Sequence, residues 1–291
     1  MRSIGKHNFQ RPYRLPYLET QVTYGCTLSC LGCTNYSDYP MSGGNVAWED
    51  FRPQFEQLVS RIQVECFGFI GGEPFLHNDF ENWVVQFKEQ FPYITLMIVS
   101  NATLLSKNWW ILDAMEEYGM IYLKLSDHTP GSTYFKDAVD KIMSRFHWVE
   151  EDMRWFNQKH ILDFETVTSD VFLKTYKNTF NDMKPYNSNP ADAFKICNQT
   201  KCPLFQEGKL YKCSSVGMLD RVLEDHNLHN DLDWQPYVNT GLDVYTATDL
   251  EISNFCNNYE KPHILCRMCP TAEDKPYIKH YSTVVNKINI L

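Results

Sequence analysis

The chain has 291 residues, 43% of them hydrophobic and 14% aromatic, which excludes a disordered protein and predicts a sizeable buried core. Its formal net charge is −9 at pH 7 and its basic residues form no long run, which argues against nucleic acid as the main partner. No apolar run is long enough to span a membrane, and the first residues lack an apolar export signal, so we expect a cytoplasmic protein.

Strand-like and helix-like segments alternate between residue 17 and about residue 126. Strands are predicted over 17–24, 64–72, 93–101 and 121–127. Helices are predicted over 47–62, around Phe80, Val84 and Phe87, and over 106–118. Repeated β-α units of this kind predict an α/β fold with a parallel sheet or barrel.

The pattern is weaker in the second half of the chain. A helix is predicted over about 132–146, and one or two strands within 153–167. A turn-rich stretch at 186–194 places a domain boundary near residue 190. Beyond it, residues 208–213 (GKLYKC) are typical of a hairpin strand.

Ten cysteines in a chain without an export signal are expected to be thiols rather than disulfides. Nine of them fall into three groups, at positions 26/30/33, 197/202/213 and 256/266/269. Clustered thiols indicate metal binding. Cys66, alone within a hydrophobic strand, is expected to be an inert core thiol.

The first group, Cys26-x3-Cys30-x2-Cys33, directly follows the first predicted strand. The carboxyl end of a parallel strand is where α/β proteins build their sites. Three thiolates can hold three irons of a [4Fe–4S] cluster and leave the fourth iron open. A zinc knuckle with a distant fourth ligand is the alternative.

A second motif, Gly71-Gly72-Glu73-Pro74, ends the second predicted strand. Together with the cysteine spacing it resembles the signature of the radical S-adenosylmethionine (SAM) superfamily. The resemblance implies that Cys26, Cys30 and Cys33 are the catalytic ligands of a [4Fe–4S] cluster, with SAM at its open iron. Cleavage of SAM would release a 5′-deoxyadenosyl radical that abstracts hydrogen from the substrate. The GGEP motif would bind the SAM ammonium group, with the Glu73 carboxylate as acceptor.

The resemblance also suggests further contacts to SAM. Ser100 and Asn101 end the third strand in the sequence SNATLL, which is similar to a ribose-contacting stretch of the family. The family usually has an aromatic residue just before its third cysteine, where this chain has Gly32. Tyr36 is the candidate to contact the adenine instead, with simple loop packing as the alternative.

On the fourth strand, alternation separates an apolar face from a polar face that includes Lys124 and Ser126. If the apolar face meets the helices, the polar face lines the cavity. Lys124 is then a candidate to neutralise the SAM carboxylate, and Ser126 a candidate SAM contact. Asp127 and His128 follow at the end of the strand and are candidate substrate contacts.

The later cysteines resemble the auxiliary-cluster domains called SPASM and twitch. The spacing Cys197-x10-Gly208-x4-Cys213, followed by Cys266-x2-Cys269, implies at least one auxiliary [4Fe–4S] cluster. Cys202 could replace Cys197 as a ligand or join it, and a zinc ribbon would have similar spacing. Cys256 has no clear place in this scheme.

The resemblance covers nearly the whole chain. It implies a radical SAM core over 15–190, folded as a partial (β/α)6 barrel, and a small α+β auxiliary domain over 191–291. We expect an oxidoreductase that acts on a small molecule such as a sugar or nucleoside, with electrons from flavodoxin or ferredoxin. The alternatives are a peptide-modifying enzyme, a non-catalytic iron–sulfur electron carrier and a zinc-binding interaction protein.

Overall fold

A computed structural model describes residues 12–38, 44–151, 154–157, 162–168 and 171–279. Within these ranges, no helix is both long enough and apolar enough to cross a membrane.

A ten-stranded sheet runs through the molecule in the order β11-β10-β9-β1-β2-β3-β4-β7-β6-β5. Its strands are β1 (Tyr13–Thr23), β2 (Ile62–Gly71), β3 (Thr95–Ser100), β4 (Ile121–Asp127), β5 (Val149–Glu151), β6 (Arg154–Asn157), β7 (Leu162–Thr168), β9 (Leu204–Gln206), β10 (Lys209–Tyr211) and β11 (Leu242–Asp243). Strands β9, β1, β2, β3, β4 and β7 are parallel neighbours, whereas β5, β6, β10 and β11 join at the two edges in antiparallel pairs. This confirms the predicted mixed α/β fold with a parallel sheet.

The helices connect and cover these strands. They are α1 (Trp48–Arg61), α2 (Phe80–Gln90), α3 (Trp110–Tyr118), α4 (Thr133–Arg145), α5 (Pro190–Lys195), α6 (Ser214–Gly217), α7 (Leu219–Asp225) and α8 (Asp249–Asn258). Single 3₁₀ turns occur at Pro74–Leu76, Leu105–Lys107, Phe180–Asp182, Ile264–Met268 and Ala272–Asp274. A separate pair is formed by β8 (Val171–Leu173) and β12 (Tyr277–Lys279). The helix predicted over 106–118 is shorter in the structure, because the 3₁₀ turn at Leu105–Lys107 precedes α3.

The main core lies between the sheet and α1 to α4. Phe51 and Phe55 recur at helical spacing on α1 and are buried, which is why this segment folds as an amphipathic helix. The Phe55 ring lies 4.4 Å from that of Phe67 on β2, and Phe67 stacks on Phe87 of α2 at 5.6 Å. Burial of each such side chain contributes about 1.5–3 kcal/mol. Packing on this face leaves the opposite face of the strands to line a cavity.

The C-terminal segment continues the central sheet. The Glu19 N–H donates to Pro203 O, and β1 pairs with β9 at Glu19 and Leu204. A second buried cluster joins this segment to the cysteine loop, with Tyr36, Tyr176, Leu219 and Met268 among its members. The proposed boundary near residue 190 thus lies in a connection between two parts that share a sheet.

Candidate functional site

The three cysteines that follow β1 line a cavity of about 260 Å³ at the carboxyl ends of the parallel strands. Cys26 and Cys30 are buried and Cys33 is half-buried. Burial raises the pKa of Cys26 well above its usual value and that of Cys33 to about 11. The protein alone therefore favours neutral thiols here, and thiolates at these positions require a compensating positive centre.

The backbone of Gly32 explains why the cysteine loop has no aromatic residue at this position. Gly32 has φ +77°, in the left-handed region that favours glycine. Its N–H donates to Asp38 Oδ2 at 3.0 Å, which holds the turn between Cys30 and Cys33. A Cβ at Gly32 would meet Lys174 and Ile278 at 3.6 Å, so other chain segments fill the space beside this residue.

The two glycines of the GGEP motif allow the loop after β2 to lie against the cysteine loop. A Cβ on Gly72 would lie 1.9 Å from Gly25 O, and one on Gly71 would lie 2.6 Å from Thr23 O. The Glu73 N–H donates to Gly25 O at 2.9 Å, which fixes this close approach. Gly71 and Gly72 line the cavity, so the motif presents backbone atoms to any molecule bound there.

Glu73 itself lies behind the cavity wall. It is fully buried, and Oε1 accepts hydrogen bonds from Ser100 Oγ at 2.8 Å and from the Phe75 N–H at 3.2 Å. Its Oε2 accepts from the Asn101 N–H at 2.8 Å. Burial raises the pKa of Glu73 to about 7. Glu73 thus ties the loop after β2 to the end of β3, and its contact with the SAM ammonium stays a prediction. Pro74 is also buried and begins a 3₁₀ turn.

Ser100 and Asn101 line the cavity at the end of β3. Asn101 Nδ2 lies 3.6 Å from Cys26 Sγ and 3.2 Å from Thr27 Oγ1, so its amide contacts the cysteine loop. Both residues are buried, and both are held by Glu73. The ends of β1, β2 and β3 therefore form one hydrogen-bonded unit.

The polar face of β4 lines the cavity as the alternation predicts, with Lys124, Ser126 and the following His128 on its wall. The Lys124 ammonium lies 3.3 Å from Glu165 Oε1 on β7, so it is already paired with a carboxylate of the chain. The His128 ring lies 5.3 Å from the ring of Phe172. Asp127 is not a lining residue, and its Oδ1 accepts the Thr129 N–H at 3.1 Å.

The structure does not bring Tyr36 to the cavity. Tyr36 is fully buried, its hydroxyl donates to Ser215 O at 3.1 Å, and its ring lies 6.1 Å from that of Tyr176. It belongs to the second core cluster, which corresponds to the packing alternative. The aromatic side chain that does line the cavity beside the cysteine loop is Phe172, which no sequence pattern indicated.

Sequence reasoning also missed part of the wall formed by β1 and the C-terminal segment. Tyr17, Glu19 and Gln199 line the cavity together with Cys202. Tyr17 and Glu19 alternate with the buried Leu18, so the period of two in β1 contained a signal for them. No such signal marked Gln199.

Four of the later cysteines lie close together. Burial raises the pKa of Cys269 well above its usual value, and the neighbouring Cys213, Cys197 and Cys266 raise it further. Burial and the neighbouring Cys197 and Cys266 raise the pKa of Cys213 to about 12. These four are the cysteines of the predicted two-plus-two arrangement, and their role as ligands of one cluster stays a prediction.

Of the two remaining later cysteines, Cys202 also lies near Cys213 and Cys197, whereas Cys256 lies on α8. Cys202 lies on the cavity wall near Glu19, and burial followed by that carboxylate raises its pKa to about 12. Cys256, on α8, packs against the main core, and burial raises its pKa to about 11. Cys66 is half-buried rather than fully buried.

The spacing of these donor groups bears on the kind of metal centre. Among the described residues, no three His, Cys, Asp or Glu side chains converge closely enough to hold a single metal ion. An iron–sulfur cluster makes a different demand, because each thiolate binds its own iron. A cluster held by the later cysteines stays a prediction.

The sequence profile of the Radical SAM superfamily matches residues 20–178. Among solved structures, BtrN in complex with AdoMet and 2-DOIA has a TM-score of 0.48 and 15% sequence identity, over 86% of this chain and 97% of that chain. SuiB of Streptococcus suis bound to precursor peptide SuiA has a TM-score of 0.49 and 11% identity, over 88% of this chain and 71% of that chain. TM-scores this low do not transfer a substrate from one protein to another.

Proposed function

The chain belongs to the radical SAM superfamily, and we propose that it is an oxidative member that acts on a metabolite-sized polar substrate in the cavity described above. One observation carries this proposal. The same cavity is lined by the three-cysteine loop and by Cys202, which adjoins the later cysteines. A substrate bound there would lie between the two groups of thiols.

The cysteine loop fits the [4Fe–4S] cluster that the superfamily implies. Cys26, Cys30 and Cys33 would hold it, and Gly71 and Gly72 present only backbone atoms to the cavity at their positions. With SAM, the cluster would supply one-electron cleavage of SAM and removal of a hydrogen atom from the substrate, using electrons from a reductant such as flavodoxin or ferredoxin.

The chain's own residues hold the reactants and exclude water. Met97, Val99 and Ile70 form an apolar part of the cavity wall, which disfavours bulk water near a reactive centre. Ser100, Asn101 and Ser126 present polar groups to bind SAM.

Within this proposal, residues 15–190 are the catalytic core and 191–291 the auxiliary part. Cys197, Cys213, Cys266 and Cys269 would hold an auxiliary [4Fe–4S] cluster, because these four thiols lie close enough to influence the pKa of Cys213 and Cys269. Cys202 also lies near Cys213 and Cys197, but its place on the cavity wall is why we assign it to the wall instead.

The core proposal is tested by reductive cleavage of SAM to 5′-deoxyadenosine. The anaerobically reconstituted protein should catalyse it, and a variant with Cys26, Cys30 and Cys33 all replaced by alanine should not. The Cys66→Ala variant is the matched control, since Cys66 lies on β2 away from the cysteine loop. Cleavage retained in the triple variant would contradict the assignment.

The auxiliary proposal is tested by counting iron. Two clusters hold about eight irons, so Cys213→Ala should lose about four. Cys202→Ala should keep the wild-type count. A loss in Cys202→Ala equal to that in Cys213→Ala would make Cys202 a ligand after all.

A further inference from the structure

A buried carboxylate, Glu19, forms part of the cavity wall and has no role in the assignments above. Its side chain is only 6% exposed, yet it lines the cavity together with Tyr17, Lys124 and Cys202. Alternation along β1 places Glu19 on the face opposite Leu18, which packs in the main core.

Two hydroxyl groups fix the orientation of this carboxylate. Tyr17 Oη donates to Glu19 Oε2 at 2.6 Å, and Ser214 Oγ donates to Oε1 at 2.8 Å. A carboxylate oxygen can accept about two hydrogen bonds, so each oxygen retains capacity for a further donor. Gly68 on β2 provides the space, because a Cβ there would lie 2.3 Å from Tyr17 Oη.

Two carboxylates, Glu19 and Glu165, lie near one ammonium group beside this part of the cavity. Of the described residues that line it, Lys124 is the one lysine or arginine, and its ammonium is paired with Glu165 at 3.3 Å. Glu19 and Glu165 therefore share one ammonium group. Burial raises the pKa of Glu19 to about 7, so a hydrogen-bond donor placed against it near neutral pH would stabilise its ionised form.

We propose that Glu19 binds a hydroxyl or ammonium group of the substrate and thereby selects a small metabolite that donates hydrogen bonds at this point. This inference rests on the proposed function. The carboxylate is held by two donors, has accepting capacity left and lies on the cavity wall. These are the properties of a recognition group for a polyol or an amine.

The test uses deuterium transfer, which detects a substrate before its structure has been identified. The probe is a perdeuterated extract of the source organism, divided into a cationic small-molecule fraction, a neutral small-molecule fraction and a peptide fraction. The measurements are the deuterium in 5′-deoxyadenosine, total 5′-deoxyadenosine and bound iron. The variants are Glu19→Gln and Tyr17→Phe, with Glu65→Gln as control because Glu65 pairs with Arg14 at the surface.

With wild type and with Glu65→Gln, 5′-deoxyadenosine should gain deuterium from one of the two small-molecule fractions. Labelling from the cationic fraction indicates an amine substrate, and labelling from the neutral fraction indicates a polyol. Glu19→Gln should incorporate at least about tenfold less at equal iron and measurable SAM cleavage, the size expected for one lost charge-assisted hydrogen bond. Tyr17→Phe, which loses only a supporting donor, should require more extract for half-maximal labelling.

Equal labelling in Glu19→Gln and wild type would overturn the inference about Glu19 and leave the proposed function standing. Loss of iron in both Glu19→Gln and Tyr17→Phe would also overturn it, since Glu19 would then support the fold. Labelling only from the peptide fraction would contradict the metabolite class. The proposed function itself would be contradicted if the wild type formed no 5′-deoxyadenosine. It would also be contradicted if none of the fractions transferred deuterium to 5′-deoxyadenosine.

Discussion

Replacing Glu73 with glutamine should change how the stability of the ligand-free protein depends on pH. Burial raises the pKa of Glu73 from 4.5 to about 7, and three hydrogen bonds from Ser100, Asn101 and Phe75 oppose that rise only in part. The folded protein therefore keeps a proton on Glu73 in a pH range where the unfolded chain has lost it.

The sign and size of the effect follow from proton linkage. Because the folded-state pKa of Glu73 is the higher one, its stabilising contribution is fully present below pH 4.5 and is lost as the pH rises through about 7. A rise of this size corresponds to about 3 kcal/mol in the free energy of unfolding. Glu73→Gln cannot titrate, and its loss of an acceptor for the Asn101 N–H is a pH-independent cost of about 1–3 kcal/mol.

The measurement is anaerobic denaturant unfolding of the iron-free wild type and Glu73→Gln at several pH values. Between pH 4.5 and values above 7, the stability of wild type relative to the variant should fall by up to about 3 kcal/mol. Glu19 titrates in the same range, but it is present in both proteins and cancels in the difference. A difference that does not change with pH would refute the reasoning, because Glu73 would then ionise alike in both states.

Two further substitutions test the packing of the site. Gly72→Ala would put a Cβ 1.9 Å from Gly25 O, so the two loops must separate. We expect a loss of about 3 kcal/mol or more in the free energy of unfolding, together with reduced iron binding to the cysteine loop. Unchanged iron content would contradict the close approach. Tyr36→Phe removes one buried hydrogen bond to Ser215. Denaturant unfolding should show a loss of about 1 kcal/mol in the free energy of unfolding, with SAM cleavage unchanged. Impaired SAM binding would instead place Tyr36 in the cavity.

Periodicity predicted the parts of the fold that depend on a repeated pattern. The apolar spacing of α1 and the alternation on β4 both correspond to buried and cavity-facing residues in the structure. The glycines of the GGEP motif were predictable for another reason, because only a residue without a Cβ fits where Gly72 meets Gly25. Local sequence contains both kinds of information.

The remaining features depend on contacts between distant segments. Tyr36 lies in a loop with φ 54°, where no period determines whether its side chain enters the cavity or the core. Cys197 and Cys202 both fit the spacing, and only the folded chain shows that Cys202 lies near Glu19, 183 positions earlier. Phe172 contacts the cysteine loop from a distant part of the chain. Neither the sequence around Phe172 nor that of the cysteine loop indicated this contact.

The first strand connects Glu19 to the segment that contains the later cysteines. Ser214, which orients Glu19, directly follows Cys213, and Pro203, which accepts the Glu19 N–H, directly follows Cys202. Gln206 strengthens this connection, because its buried amide accepts the Gln21 N–H at 3.0 Å and donates to Gln21 O at 3.3 Å. The same contacts make it unfavourable to remove the C-terminal segment, since β1 would lose its neighbour β9 and Glu19 would lose the Ser214 donor.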